Sequence, residues 1–204
     1  MEQTLAPAPP KGRPREFCVD AALAAALRVF WRHGYEGASM AELTAEMGIT
    51  KPSLYAAFGN KEALFHKALD LYEREKLAYM STALEAPTAR GVAERLLHGA
   101  LEMQTDSGDP KGCLGVISAN ACGVEAESIK AEVVKRRASS EAALIARFER
   151  AKIEGDLPKT IEPDALVRYL FAIMQGLSVQ AGSGATCAQL GQLVETSLAL
   201  WPTR

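Results

Sequence analysis

Ser39-Met40-Ala41-Glu42-Leu43-Thr44-Ala45-Glu46-Met47-Gly48-Ile49-Thr50-Lys51-Pro52-Ser53-Leu54-Tyr55-Ala56-Ala57-Phe58-Gly59 reads as two short helices with their punctuation in place. Ser39 and Glu42 form a capping box, the serine oxygen taking the third amide and the glutamate reaching back to the cap amide. Ala38 and Leu43 stand at the two positions of a hydrophobic staple. Met47 ends the first helix, and Gly48 supplies its left-handed stop. After Gly48-Ile49-Thr50 the second helix begins, capped by Thr50. Pro52 falls in its first turn, where a missing amide hydrogen is harmless. Phe58-Gly59 closes it.

Outward from this pair, the helical period continues in both directions. Leu23, Ala26, Leu27 and Phe30 fall at i, i+3, i+4 and i+7 and predict a helix over 19–33, with Asp20 in the first turn and Gly34 as the stop. Asn60 caps a fourth helix running to about residue 84, ahead of Pro87. Further helices are predicted over 88–106, 112–122, 125–154, 163–181 and 186–200, divided by Ser107-Gly108-Asp109-Pro110, Gly123, Gly155-Asp156-Leu157-Pro158 and Gly182-Ser183-Gly184. No segment alternates as a strand does. The fold class is all-α with about nine helices. Ahead of it, Ala6-Pro7-Ala8-Pro9-Pro10 cannot hold a helix, and Lys11-Gly12-Arg13-Pro14-Arg15 is basic, so residues 1–17 read as a flexible arm.

Two short helices joined by a three-residue turn containing glycine form a helix-turn-helix, whose second member enters the DNA major groove. The frame around it is Ala25-Ala26-Leu27-x-x-Phe30, His33-Gly34-Tyr35, Ser39-Met40-x-x-Leu43, Met47-Gly48-Ile49-Thr50, Ser53-Leu54-Tyr55-x-x-Phe58 and Lys61-Glu62-x-Leu64. Over residues 23–66 this frame resembles the DNA-binding domain of the TetR/AcrR family of transcriptional regulators. The remainder matches that family in helix number, length and order only. The resemblance implies a DNA-binding domain over 18–66, and a helical ligand-binding and dimerisation domain over 67–204. Thr50, Lys51, Pro52 and Ser53 open the recognition helix, facing bases and phosphates, and Lys51 suits a guanine acceptor. Tyr55 and Lys61 resemble the family's phosphate-contacting positions, while Ser39 meets the backbone on the other side. Leu54 and Phe58 read as core against Leu27 and Phe30. Arg13 and Arg15 lie in a Gly-Arg-Pro arm of the kind that hooks into a minor groove.

Composition agrees with a regulator that uses a few placed cations. The 204 residues carry 23 basic and 25 acidic side chains, a formal charge of −2, which excludes a general DNA-coating protein. Up to Lys67 there are 8 basic against 7 acidic residues, and 15 against 18 beyond. No apolar run has the length of a membrane span, and the N-terminus lacks the order of a secretory signal, so the expected location is the cytoplasm without membrane contact. Cys18, Cys113, Cys122 and Cys187 have spacings of 95, 9 and 65 residues, which match no common zinc arrangement. Glu62 with His66 and Glu94 with His98 are four apart, not the three of di-iron bundles. Neither a metal nor a cofactor is expected.

The apolar residues Leu166, Leu170, Phe171, Met174 and Leu177, with Leu190, Leu193, Val194, Leu198 and Trp201, line the last two helices. They read as core or as the four-helix seam of a two-fold homodimer, which the resemblance implies. It also implies that a small molecule enters the C-terminal helices and respaces the two recognition helices on palindromic, double-stranded operator DNA, releasing a repressor. Candidate lining residues are Leu97, Leu101, Met103, Gln104, Phe148, Phe171, Met174 and Gln175, a set suited to a neutral or weakly polar effector. Lys111-Gly112-Cys113-Leu114 with Cys122 resembles a segment of TetR-type regulators that respond to electrophiles or oxidants. The two cysteines read either as small buried hydrophobes or as such a sensor, with Cys113, beside Lys111 at a helix N-terminus, the more reactive. In a straight helix nine residues advance ~13.5 Å, too far for an internal disulfide. The alternative of a helical-bundle enzyme lacks a carboxylate-histidine metal set, a phosphate-binding glycine loop and a Ser/His/Asp or Cys/His set; the other alternative is a helical interaction protein that keeps a helix-turn-helix as scaffold.

Overall fold

Helix α1 (Val19–Gly37) sinks Ala22, Ala25, Ala26, Leu27, Val29, Phe30 and Trp31 into the interior. Small alanines on that face let neighbouring helices approach closely. Gly34, at φ 69° and ψ −179°, breaks the helical geometry where a stop was expected, before one last turn to Gly37. A computed structural model describes residues 17–106, 108–120, 123 and 126–202. Arg13, Arg15 and Cys122 lie outside the described residues.

Helices α2 (Met40–Met47) and α3 (Lys51–Phe58) follow with the predicted caps. Ser39 Oγ accepts from Glu42 N at 3.1 Å, and Gly48 takes the left-handed conformation at φ 64°. The second half of the capping box is replaced: the Glu42 carboxylate lies 2.9 Å from His33 Nε2 on α1. A hydrogen-bonding partner one helix away takes the place of the cap amide. Asn60 Oδ1 accepts from Ala63 N at 2.7 Å and starts α4 (Lys61–Lys76).

The expected single helix from residue 60 to 84 is divided. At Leu77, φ −104° and ψ 6°, the chain turns and continues as α5 (Ala78–Leu84). Neither glycine nor proline marks the break; packing makes it. Tyr79 on α5 lies against Gly99, where a Cβ would sit 2.4 Å from the Tyr79 ring. That close approach requires α5 to leave the axis of α4.

The remaining elements are α6 (Ala89–Thr105), α7 (Leu114–Asn120), α8 (Glu127–Ile153), α9 (Pro163–Gly182) and α10 (Cys187–Ala199). Ten helices and no strand are present among the described residues. A full capping box occurs at α10, between Thr186 and Gln189.

Two apolar cores organise the helices. One joins α1, α2, α3 and α4, and is completed by Leu114, Ala126, Ile129 and Val133, so it runs well past residue 66. The other joins α5, α6, α8, α9 and α10 around Leu96, Leu97, Phe148, Leu170 and Leu177. Arg147, buried on α8, donates to the carbonyls of Leu84 at 3.2 Å and Ala86 at 2.7 Å, pinning the end of α5.

The stripes read as core or dimer seam lie inside this second core. Leu166, Leu170, Phe171, Met174, Leu177, Leu190, Val194, Leu198 and Trp201 are buried within one chain, and Leu193 is half-buried against them. Large side chains stabilise the protomer most when they leave water, so they fill its interior first. The outer surface of these helices instead carries Ala165, Tyr169, Ala172 and Val179 on α9, and Ala188, Gln192, Glu195 and Ala199 on α10. A methyl group at Gly176 or Gly191 would meet nothing within 4 Å.

Candidate nucleic-acid interface and effector cavity

Helix α3 has two unlike sides. Leu54 and Phe58 are buried in the core that contains Leu27 and Phe30, and they fix the helix from behind. Thr50, Lys51, Pro52 and Tyr55 are exposed, and Ser53 is half-buried. Thr50 Oγ1 accepts from Ser53 N at 3.3 Å and lies 2.9 Å from Ser53 Oγ, which orders the N-terminal turn. No acidic residue occurs in α3, so nothing on the helix offsets the partial positive charge of its start. An anion is favoured there. Lys51 and Tyr55 stand one turn apart on the same face, with Lys51 Nζ 6.0 Å from the ring centroid.

Ser39 is exposed at the start of α2 while its oxygen is used as a cap. Lys61 is half-buried, with Nζ 4.6 Å above the Tyr35 ring. Burial pulls its pKa below the ordinary lysine value, and Glu36 pushes the other way. Lys61 therefore has a packing role as well as a charge, which the sequence pattern did not indicate. Tyr35 itself is braced by rings, 6.3 Å from Phe30 and 5.2 Å from Phe65.

On the other side of α4, a cavity of about 700 Å³ opens between α4, α5, α6, α7, α8 and α9. Of the residues expected to line it, Met103, Cys113, Phe171, Met174 and Gln175 do so. Leu97 and Phe148 do not; both are fully buried in the second core, Phe148 with its ring 6.1 Å from Trp201. Leu101 packs against that core, and Gln104 lies behind the cavity wall, held by hydrogen bonds. An apolar residue at helical spacing enters a core by default; only the orientation of several helices decides which ones border a void.

The sequence reading missed the walls supplied by α4, α5 and α8, among them Tyr72, Met80, Val133 and Arg137. The Tyr72 hydroxyl lies 3.5 Å from Cys113 Sγ and 3.7 Å from Met103 Sδ, either of which can accept its one proton. Burial, then the neighbouring Cys113, raises the Tyr72 pKa well above 10, so the phenol keeps its proton at neutral pH. The Lys111 ammonium donates to the Asp106 carbonyl. Of the cations at the rim, Arg136 is held by Asp70 at 2.8 Å, Glu73 at 3.0 Å and Glu132 at 2.8 Å. Arg137 pairs with Glu141 at 2.6 Å and stands 5.5 Å from the Phe171 ring centroid. With its charges paired among themselves, the cavity suits a neutral, mostly apolar molecule.

Among the described residues no cluster of His, Cys, Asp and Glu is arranged to hold a metal ion, and no helix is long and apolar enough to cross a membrane. Cys18, Cys113 and Cys187 are free thiols.

Residues 22–68 match the family described as bacterial regulatory proteins, tetR family. Over 194 residues, 94% of this chain and 92% of the relative, the sequence is 32% identical to the HTH-type transcriptional repressor ComR of Escherichia coli K12. It is 28% identical over 196 residues to the HTH-type transcriptional repressor BdcR of the same strain, covering 92% of this chain and 94% of the relative. Among solved structures, a cysteine mutant of the TetR family transcriptional regulator CifR, complexed with 26-bp double-strand operator DNA, superposes with a TM-score of 0.87. That pair is 39% identical and covers 93% of this chain and all of the CifR chain.

Proposed function

The chain belongs to the TetR family of bacterial transcriptional regulators, and we propose that it is a ligand-responsive repressor that binds a palindromic operator as a homodimer. The observation that carries this reading is the outer face of α3. Its N-terminal turn, ordered by Thr50 and Ser53, presents Lys51 and Tyr55 to solvent while Leu54 and Phe58 anchor it. In this reading Lys51 reads bases, with Thr50, Pro52 and Ser53 close to the groove floor. Ser39, Tyr55 and Lys61 position the phosphates. Arg13 and Arg15 of the N-terminal arm enter the adjacent minor groove.

The second copy covers the outer face of α9 and α10. Its small and apolar residues, Ala172, Gly176 and Val179 with Ala188 and Ala199, allow two helix pairs to approach closely. Two linked half-sites raise the effective concentration of the second contact, which a chain with few cations needs. Residues 18–66 form the DNA-binding unit and 67–204 the effector and dimer unit, with the effector in the 700 Å³ cavity. The effector is a neutral small molecule or a thiol-reactive one that meets Cys113, and it releases the operator. The reading has no catalytic step, cofactor or metal in it, and it places the protein in the cytoplasm.

A gel-shift against the DNA upstream of its own gene, followed by footprinting, tests the proposal. Two protected half-sites about one helical turn apart are expected. Binding no tighter than to scrambled DNA of the same length refutes it.

A further inference from the structure

Three helices are tied together around one peptide group. Trp31 on α1 donates its indole N–H to the Gly112 carbonyl at 3.0 Å, a bond between residues 81 positions apart and buried from water. Gln104 on α6 grips the same residue twice: its Nε2 donates to the Gly112 carbonyl at 3.2 Å, and its Oε1 accepts from Gly112 N at 2.9 Å. The second proton of Nε2 goes to Ser178 Oγ on α9 at 3.2 Å, and Ser178 in turn donates to the Met174 carbonyl at 3.0 Å. Gly112 has φ +96°, a conformation that a side chain strains, so the loop has little freedom to re-form around a substitute. The next residue, Cys113, is a wall of the cavity, and Tyr72 touches both its sulfur, at 3.5 Å, and the Trp31 ring, edge-on at 4.8 Å.

We propose that Gly112 is the joint through which the cavity acts on the DNA-binding helices, with Trp31 and Gln104 as its positioning residues. The inference rests on the reading of the cavity as the effector site. A molecule seated against Cys113 displaces the 112–113 loop. The loop cannot move alone: either Trp31 follows it or the buried indole N–H loses its partner. Buried polar groups left unmade are costly, so the joint has discrete positions rather than a continuous range. Trp31 is rigidly part of α1, which packs on both α2 and α4, so its displacement swings the α3 surface. The Gln104–Ser178 bond carries the same displacement into α9, whose outer face the second copy covers. The cavity, the recognition helices and the subunit interface thus share one hydrogen-bonded node.

The test isolates one thiol and uses N-ethylmaleimide as the probe. In a parent variant with Cys18→Ser, Cys122→Ser and Cys187→Ser, the sulfur of Cys113 adds across the maleimide double bond and the neighbouring carbon takes up a proton. Intact mass confirms one adduct. The operator Kd with and without the adduct gives a coupling ratio, expected between about 5 and 150 in the parent. Trp31→Phe keeps an aromatic ring but has no indole N–H, and its ratio is expected to fall to about 1, the value of an uncoupled pair. An equal ratio in both proteins overturns the joint and leaves the cavity reading standing. A ratio of one in the fully labelled parent overturns the cavity reading, and the joint with it. If Trp31→Phe melts its N-terminal helices, Gln104→Met probes the same joint from the C-terminal side: it removes two of the three hydrogen bonds that hold Gly112 without touching α1, so the loop yields without drawing Trp31 with it, and its ratio also collapses. A parent-like ratio in a folded Gln104→Met protein refutes the proposal.

Discussion

Lys51 and Lys61 carry the same charge and should fail in different ways. Lys51 is exposed on the first turn of α3, while Lys61 is half-buried on α4 with its ammonium over the Tyr35 ring. In a homodimer each substitution acts twice. A good base contact discriminates by about 1–3 kcal/mol, so Lys51→Ala should cost about 2–6 kcal/mol on a palindromic operator, roughly 30-fold to 10⁴-fold. On scrambled DNA of equal length its cost should be small. Lys61→Gln keeps most of the stem that covers Tyr35 and removes two phosphate neutralisations per dimer. The slope of log K against log salt should then become shallower by about 1.8, since each neutralised phosphate contributes about 0.9. Between 50 and 200 mM salt this amounts to about a 12-fold smaller loss of affinity than the parent shows.

Fluorescence anisotropy with labelled matched and scrambled duplexes, titrated at four salt concentrations, separates the two behaviours. Lys51→Ala should leave the slope nearly unchanged and lower the ratio of matched to scrambled affinity. Lys61→Gln should leave that ratio intact and flatten the slope. If Lys51→Ala lowers both affinities equally, the exposed turn of α3 does not read bases. If Lys61→Gln leaves the slope unchanged, its charge serves Tyr35 and Glu36 rather than DNA.

Three further outcomes are expected. Gly99→Ala places a methyl group 2.4 Å from the Tyr79 ring, and this overpacking should cost about 1–3 kcal/mol in denaturant unfolding. The double variant Gly99→Ala/Tyr79→Ala should recover part of that loss relative to Tyr79→Ala alone; additive costs would show that the two residues do not press on each other. Deleting residues 1–15 should weaken binding mostly at operators flanked by A·T pairs and lower the salt slope, and equal affinity across salt would exclude an arm contact. Val179→Lys changes a side chain that is 56% exposed in the protomer, so folding should be preserved, while two like charges meet if this face is the dimer seam. Light scattering should then fall from twice the chain mass to 21.9 kDa, with sharply reduced operator binding, whereas a persistent dimer would place the seam elsewhere.

The parts of the fold set by local chemistry were legible in advance. Ser39, Thr50 and Asn60 each accept the amide hydrogen that a helix start leaves unpaired, and Gly48 takes the left-handed stop. The division of α3 into buried Leu54 and Phe58 and exposed Lys51 and Tyr55 follows from the same period. What escaped was decided between elements. The break at Leu77 depends on a glycine 22 residues away, because Tyr79 needs the space at Gly99. Glu42 turns to His33 because α1 crosses beside α2. Tyr72 reads as one more apolar position on α4, and only the packing of α1 and α7 around it gives it Trp31 on one side and Cys113 on the other.

Helix α9 shows why a hydrophobic stripe cannot by itself name its partner. Along 20 residues it serves three surroundings at once. Leu170 and Leu177 enter the core, Phe171, Met174, Gln175 and Ser178 border the cavity, and Tyr169, Ala172 and Val179 face outward. The largest apolar side chains lie inside the protomer, so the outward face is left with small residues and one exposed tyrosine. A search for bulky stripes therefore finds the core and overlooks the surface that another helix pair can approach closely. The same arrangement has a mechanical consequence. Backbone hydrogen bonds make a helix of this length move as a unit, so a molecule that shifts Met174 and Ser178 from within shifts Ala172 and Val179 with them. Ser178, bonded to Gln104 and through it to Gly112, ties that motion to Trp31. If Gly112 is the joint, cavity filling and half-site spacing are linked through the α9 backbone and the hydrogen-bonded side chains of Ser178, Gln104 and Trp31 around one buried peptide.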